Sequence, residues 1–460
     1  MGNDWIWQRC SWRGYERLRE ATQVMNIALE RRQLSLYPLR LTLTATEPLA
    51  LDEHPGSSLR GALFSALLRR FCVNPTAPSC AACPLNATCP VAGLVAPLRD
   101  ERPHGRDVPR PFVLEAPASG SGGHRAGGHR AGGGSGARAF AMGQSFTLGL
   151  TLIGVASRFF PYVALAAQVM EAQGMGRPLA VNGGRRGRFQ VERIDLVDPF
   201  DLFDPYAAAM DGEERADRGE ERTPTARQAL YTRGEPRVTA PTRPITAQDI
   251  AERAASLPDD RLTLHFLSPT RLIERGGLTR TPQLPILVAR LAERLDALFD
   301  EYGVDAADGR DRGDGRVVGR ADRAEQAERA EQAERAEQAS AEASGGSSTE
   351  ARGYALAPCV PSNEERVRRR ERTRLLMDEA ARLQLARDDT RWVDVASYSA
   401  RQGRTTPIGG FVGACAWQGS VSVALRELLA WGELLHVGKN AVKGDGYYRM
   451  TSEIVIPTIP

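Results

Sequence analysis

The stretch LYPLRLTLTA, from Leu36 to Ala45, alternates apolar and polar residues, as a strand does when one of its faces is buried. A loop then leads to LRGALFSALLRRF, from Leu59 to Phe71, where Leu59, Leu63 and Leu67 recur at helical spacing. A strand followed by a helix is the first half of a βαβ unit. We therefore expect an α+β fold that starts at this strand.

The pattern continues towards the C-terminus. SFTLGLTLI, from Ser145 to Ile153, indicates a strand, Tyr162–Gln173 a helix that ends before Gly174, and Arg188–Val197 another strand. Strand–helix followed by strand–helix–strand is the order of a ferredoxin-like domain.

A second cycle of the same kind follows. It begins with a strand at Arg261–Leu267 and a helix at Pro285–Tyr302, whose apolar residues follow one helical face. It closes with strands at Trp392–Ser397 and Gly409–Trp417, a helix at Val423–Gly432 and a last strand at Tyr447–Ile454. The sequence therefore predicts two tandem ferredoxin-like domains, a fold related to RRM domains.

The predicted domain boundaries follow from changes in composition. Residues 1–34 form an extension, 35–200 the N-terminal domain, 201–257 a linker and 258–460 the C-terminal domain. Each domain carries a low-complexity insertion: a Gly-rich one at 118–138, and one at 304–353 that repeats RAEQAE every six residues. A polar insertion of this kind offers little apolar surface to a core.

Bulk composition narrows the class of protein without naming its function. The 460 residues are 42% hydrophobic with a net charge of +3, which suits a globular chain and is too neutral to indicate nucleic acid by itself. The N-terminus lacks the apolar core of a signal peptide, and no apolar run is long enough to span a membrane. We expect a cytoplasmic protein whose thiols stay reduced.

A cysteine cluster lies in the first predicted domain, within residues 72–90. Cys72, Cys80, Cys83 and Cys89 have the spacing C-x7-C-x2-C-x5-C. Four thiols in a short polar segment can form a tetrahedral zinc site, and a [4Fe–4S] cluster takes the same four ligands. The spacing does not distinguish the two, and it predicts a structural site.

A glycine- and lysine-containing loop precedes the last predicted strand. Gly438, Gly444 and Gly446 allow positive φ and close backbone approach, so that successive amides can point at one anion. Lys439 and Lys443 are the only lysines of the chain. The segment is therefore a candidate phosphate-binding loop, although it lacks the Gly-Lys-Ser/Thr ending of a nucleotide P-loop.

The run GGFVGACAWQGSVSVALRELLAWGELLHVGKNAVKGDGYYRM, from Gly409 to Met450, resembles the C-terminal signature of the CRISPR repeat-processing endoribonucleases of the RAMP superfamily. Ser58–Cys72 and LHFLSPTRL, from Leu264 to Leu272, also resemble segments of that family. The resemblance implies paired ferredoxin-like domains and RNA contacts from the glycine- and lysine-containing loop and Arg271. Asp445 departs from the pattern, because an apolar residue is expected between the last two glycines.

The family cleaves RNA without a metal ion, so the resemblance implies that side chains supply the chemistry. Histidine is suited to proton transfer because its pKa of about 6.5 lies near working pH. We expect His436, next to the loop and beside Lys439, to be the catalytic histidine, with His54 as the second candidate. His104 lies in an Arg-rich loop, and His265 is expected to be structural.

The leading functional hypothesis is a metal-independent endoribonuclease that binds CRISPR repeat RNA and cleaves precursor crRNA by attack of a 2′-hydroxyl. Its partners are then the precursor RNA and other Cas effector subunits, with no requirement for DNA or a membrane. Two alternatives stay open. One is a non-catalytic crRNA-binding RAMP subunit of an effector complex, and the other is an unrelated protein in which a metal at the cysteines does the chemistry.

Overall fold

A computed structural model describes residues 32–80, 82–86, 88–97, 108–117, 138–200, 226–305, 361–399 and 404–452. The fold is α+β with antiparallel sheets, as the sequence predicts. The predicted extension up to residue 31, most of both insertions, residues 201–225 of the predicted linker and His104 lie outside the described residues.

The N-terminal half is built around a five-stranded antiparallel sheet with the order β10-β9-β2-β6-β4. Its helices pack on one face, because the buried Leu39, Leu41 and Leu43 of β2 all point to that side. The bounds are β1 Arg32–Gln33, β2 Leu36–Ala45, β3 Leu49–Leu51, α1 Gly56–Phe71, α2 Pro90–Val95, β4 Phe112–Glu115, β5 Arg138–Phe140, β6 Ser145–Ile153, α3 Phe160–Gln173, β7 Met175–Leu179, β8 Arg185–Gly187, β9 Phe189–Val197 and β10 Ala226–Thr232.

The C-terminal half repeats this arrangement, with strands in the order β15-β19-β11-β20 and β16 also paired with β19. In each half, four strands follow the order that a βαββαβ unit produces, β9-β2-β6-β4 in the first sheet and β15-β19-β11-β20 in the second. The bounds are α4 Ala247–Ala255, β11 Arg261–Thr270, β12 Leu272–Glu274, β13 Gly277–Thr279, α5 Leu284–Tyr302, β14 Val304–Asp305, α6 Asn363–Arg382, β15 Gln384–Asp388, β16 Arg391–Val393, β17 Ala396–Ser399, β18 Arg404–Pro407, β19 Gly410–Gln418, α7 Val423–Leu435 and β20 Tyr448–Thr451.

The two halves are joined by packing and by backbone hydrogen bonds. Leu36 of β2 exchanges two backbone hydrogen bonds with Ile245, at 2.9 and 2.8 Å. The Tyr302 hydroxyl, at the end of α5, donates to the Pro109 carbonyl at 2.5 Å. Leu36 and Ile153 from the first sheet are buried in the same apolar core as α5 and α7. The sheets are therefore held in a fixed relative position by shared core residues.

Residues 226–257, expected within a linker, are instead part of the folded core. Strand β10 pairs with β9 at the edge of the first sheet, and α4 packs on α7 through the buried Ile250 and Ala254. The segment contains a short edge strand and an amphipathic helix, which its polar composition did not predict. No helix among the described residues is both long and apolar enough to cross a bilayer.

Candidate RNA-binding and cleavage site

The loop from Gly438 to Gly446, here called the Gly/Lys loop, connects α7 with β20 and packs against the N-terminal half of the chain. A Cβ atom at Gly56, the first residue of α1, would lie 1.5 Å from the Lys443 carbonyl oxygen. One at Gly444 would lie 2.7 Å from the Leu114 carbonyl oxygen in β4. The loop therefore lies at the boundary between the two halves, where both supply side chains.

The glycines of the Gly/Lys loop have the positive φ angles that the sequence predicts, with φ of 82° at Gly438 and 71° at Gly446. They serve close packing: a Cβ at Gly438 would lie 2.4 Å from the Arg271 carbonyl oxygen, and one at Gly446 would lie 1.8 Å from that of Val437. The amides of Lys439 and Gly446 donate to the Arg271 and Pro269 carbonyls. These amides are thus engaged within the protein, and the prediction that successive amides of the loop bind a phosphate has no support at these positions.

The lysine side chains remain available to an anion. Lys439 is exposed, and Lys443 is half-buried beside Arg60 of α1 and Arg110. Burial and the positive charges of these two arginines lower the pKa of Lys443. Lys443 and the two arginines whose charge acts on it come from both halves, and such a group of cations is a favourable position for a phosphate.

Asp445 is buried in the same loop, with 5% of its surface exposed. Burial raises the pKa of its carboxyl group to about 7, against the opposing effect of Lys443 and a hydrogen bond from Asn440. The negative charge that the sequence suggested within the loop is therefore partly removed by protonation near neutral pH. A neutral Asp445 repels a phosphate less than a carboxylate would.

His436, the preferred catalytic candidate, caps the C-terminus of α7 and is completely buried, with 0% of its surface exposed. Its ring stacks on Tyr447 with 4.8 Å between centroids. Burial and the nearby Arg294 and Arg449 lower the pKa of His436 to about 3. The enclosed imidazole has no path to a phosphate at the surface in this conformation, although Lys439 is only three residues away in sequence.

His54, the second candidate, lies in the loop just before α1 and is mostly buried, with 19% of its side chain exposed. Burial lowers its pKa; Glu53 opposes this shift, and the positive charges of Arg138 and Arg391 lower the pKa further. Arg138 belongs to β5 in the N-terminal half and Arg391 to β16 in the C-terminal half. The imidazole is thus neutral near pH 7 and lies in a positive environment at the boundary between the two halves.

His54 and the Gly/Lys loop meet at the same end of α1. Residue 54 is two positions before Gly56, which contacts the Lys443 backbone, and Arg60 follows one helical turn later. Gly56 and Arg60 are about 6 Å apart along the helix axis at 1.5 Å per residue. The structure therefore brings together His54, Lys443 and the arginines around them, whereas His436 is enclosed against the inner side of the Gly/Lys loop, with no surface exposed.

The remaining predicted residues have structural positions. His265 is buried in β11, opposite Arg449 of β20, and burial lowers its pKa, which agrees with the structural role expected for it. The Arg271 guanidinium donates to the Gly409 carbonyl at 3.1 Å while its own carbonyl accepts from Lys439. Arg271 therefore holds the Gly/Lys loop against β19.

Four arginines of the site were not predicted as site residues: Arg60, Arg110, Arg138 and Arg391. Arginine is the common cation of this chain, so no single position stands out in the sequence. Arg138 also ends a segment predicted as a flexible insertion. These arginines lie near His54 and Lys443 only because the two halves pack against each other, and the sequence does not show that packing.

The four cysteines lie around one another between α1 and α2. Burial and the neighbouring Cys89, Cys72 and Cys83 raise the pKa of Cys80. All four are free thiols. Within the described residues, no group of three or more His, Cys, Asp or Glu side chains already has the arrangement of a metal site.

Comparison with known families gives this site a context. Residues 264–448, which carry the Gly/Lys loop and the second sheet, match the model of the CRISPR-associated endoribonuclease Cas6 family. Over these residues, which make up less than half of the chain, the protein is similar to the Cas6 family. Residues 34–216 match a second model, described only as an N-terminal domain. None of the curated proteins matches the chain significantly.

Solved Cas6 structures align with the chain at low sequence identity. A Cas6 product complex covers 91% of this chain and 100% of its own, at 15% identity and a TM-score of 0.39. A Thermus thermophilus Cas6 covers 91% and 99%, at 13% identity and a TM-score of 0.36. A partial Cas6-RT-Cas1–Cas2 complex covers 92% of this chain and 47% of its own, at 10% identity and a TM-score of 0.40.

Proposed function

We propose that this protein binds CRISPR repeat RNA and cleaves precursor crRNA, with His54 as the residue that accepts the proton. The observation that carries the proposal is the position of His54 at the boundary of the two halves, close enough to Arg138 and Arg391 for both to lower its pKa. The match to the Cas6 endoribonuclease family supports the substrate class.

The proposed reaction needs no group beyond the side chains and the RNA. The neutral His54 imidazole accepts the proton of the ribose 2′-hydroxyl, and the 2′ oxygen forms a bond to the adjacent phosphorus. The bond from phosphorus to the 5′ oxygen breaks, which leaves a 2′,3′-cyclic phosphate and a 5′-hydroxyl that takes up a proton. Arg138 and Arg391 stabilise the charge that develops on the phosphoryl oxygens.

A second cationic group positions the RNA backbone in this proposal. Lys443, Arg60 and Arg110 bind a phosphate beside the one that is cleaved, and the exposed Lys439 adds a further contact. The partial positive charge at the N-terminus of α1 favours an anion at the same end of the helix, where the first turn carries no acidic residue. Phosphate contacts of this kind fix the register of the RNA, and they do not read its sequence.

The mechanism can be tested with one RNA in two forms. Cleavage of labelled repeat RNA should proceed in excess chelator, because the nucleophile is internal to the RNA. It should stop when the nucleotide 5′ of the cut carries a 2′-deoxyribose, while the affinity for that RNA stays within a few fold. A metal-activated water would attack the deoxy substrate as well, so continued cleavage of that substrate would reject the mechanism.

A further inference from the structure

The segment between α1 and α2 is ordered without a core of its own. None of its described residues from Cys72 to Cys89 is fully buried. Its larger apolar side chains point outward, with Val73 79% and Leu85 44% exposed. Apolar burial, which usually stabilises a folded segment, is therefore too small here to fix its conformation.

Short-range turns arrange this segment around its cysteines. The Cys83 amide lies 3.4 Å from the Cys80 carbonyl, and the Asn86 amide donates to the Cys83 carbonyl at 3.0 Å. The Asn86 side chain donates to the Cys80 carbonyl at 2.6 Å. All four cysteines are partly buried, whereas most residues between them are exposed. The turns thus hold the four cysteines in one short segment in which each is partly buried.

The four thiols lie close together and form no disulfide. Cys80 is near enough to the other three for each of them to raise its pKa. The Asn74 side chain donates to the Cys83 sulfur, with 3.7 Å between nitrogen and sulfur, a type of contact that stabilises a metal-bound thiolate. The one other described cysteine, Cys415, lies in β19 away from this cluster.

We propose that Cys72, Cys80, Cys83 and Cys89 bind one tetrathiolate metal centre, a zinc ion or a [4Fe–4S] cluster, that fixes the segment between α1 and α2. Among the described residues these cysteines do not already have the spacing of a metal site, so binding would have to draw the four sulfurs together as the thiols lose their protons. Because the segment has no packed core, this movement disturbs few contacts.

The centre is structural and separate from the proposed cleavage reaction. Cys72 follows the last residue of α1, and His54 precedes the first. The 16 residues of the helix put about 24 Å between these ends at 1.5 Å per residue. The metal would anchor the far end of the helix whose first turn contributes to the RNA site, and it would not contact the scissile phosphate.

The test is metal content in the full-length protein, purified anaerobically and analysed for zinc and iron together with its visible absorption spectrum. About one zinc or about four irons per chain is expected, and the absorption of an iron–sulfur cluster distinguishes the two. Cys83→Ser should lose most of the metal and lower the melting temperature by about 5 °C or more. Ala82→Ser is the matched control, since it adds a hydroxyl at the neighbouring exposed position and keeps all four thiols.

If Cys83→Ser fails to fold, the parental protein still provides the test. Titration with a mercurial reagent should release the metal in step with modification of the four thiols. Three results would overturn the proposal: neither metal bound after anaerobic purification or reconstitution with zinc, metal content in Cys83→Ser equal to that of Ala82→Ser, or metal release without thiol modification. None of these measurements depends on RNA cleavage, so their outcome is distinct from that of the proposed function.

Discussion

At the scale of single residues, the two candidate histidines differ in burial and therefore in how far their pKa is lowered. His436 is fully enclosed, and its pKa is lowered to about 3. His54 is partly exposed and lies beside Arg138 and Arg391, which belong to different halves of the chain. Sequence proximity to the two lysines favoured His436, because a linear pattern gives no information on whether the residue that ends a helix points into the core.

The pH dependence of cleavage should report the His54 imidazole. Because burial and two arginines lower its pKa, the base is neutral at pH 7, and kcat/KM should be constant there and fall as pH drops through a pKa below 6.5. Glu53 raises the pKa of His54, so Glu53→Gln should move the inflection to still lower pH. Single-turnover rates between pH 5 and 8 measure both profiles.

An inflection above pH 7 in the parental protein would identify a different base. An unchanged inflection in Glu53→Gln, with the parental inflection below pH 6.5, would show instead that the acidic pKa belongs to another group. The RNA backbone carries its charge throughout this range, so a change in its ionisation does not account for the profile.

At the scale of elements, most strands and helices with regular apolar spacing were predictable. Strands β2 and β6 have the predicted bounds, and α5 differs by one residue at its start. Helix α6 was not predicted, because its 20 residues are mostly charged and few of them are apolar. It packs on α5 through the buried Leu376 and Ala380 and through ion pairs, with Arg372 and Asp296 at 2.7 Å and Arg369 and Asp300 at 2.9 Å. The residues that pair with such a helix lie in another helix, so the sequence of α6 by itself does not reveal them.

The contact between α1 and the Gly/Lys loop can be tested with two glycines of one helix. Gly56→Ala puts a Cβ 1.5 Å from the Lys443 carbonyl oxygen, so the loop must move, and repeat RNA should bind and be cleaved at least about tenfold less well if the displaced site loses about 1.4 kcal/mol of interaction. Gly61→Ala is the matched control, because no atom lies within 4 Å of its Cβ position.

Gly61→Ala should retain parental binding and gain about 0.5–1 kcal/mol of stability, since alanine favours a helix interior over glycine. Fluorescence anisotropy and thermal melts measure these effects. Equal RNA affinity for the two variants would show that the loop contact does not organise the RNA site.

At the scale of the whole molecule, the repeated order of strands and helices was predictable, and the joint between the two halves was not. The periodicity of each half identifies its sheet, whereas the joint depends on Leu36 and Ile245, which are 209 positions apart, and on Gly56 meeting Lys443. Arg138 and Arg391 meet at His54 for the same reason. The candidate site is thus a property of how the halves dock, and the spacing of residues in the sequence carries no signal for it.

The most direct test of the central claim is the single-turnover cleavage rate of His54→Ala on labelled repeat RNA, with the equilibrium affinity measured on the same preparation. His54 transfers a proton and makes no essential phosphate contact in this account. Its loss should therefore lower the rate by roughly 10²–10⁴ while the affinity stays within a few fold. Cleavage by His54→Ala at the parental rate would contradict the account, and a parental protein that binds the RNA tightly yet never cuts it would establish a crRNA-binding subunit instead.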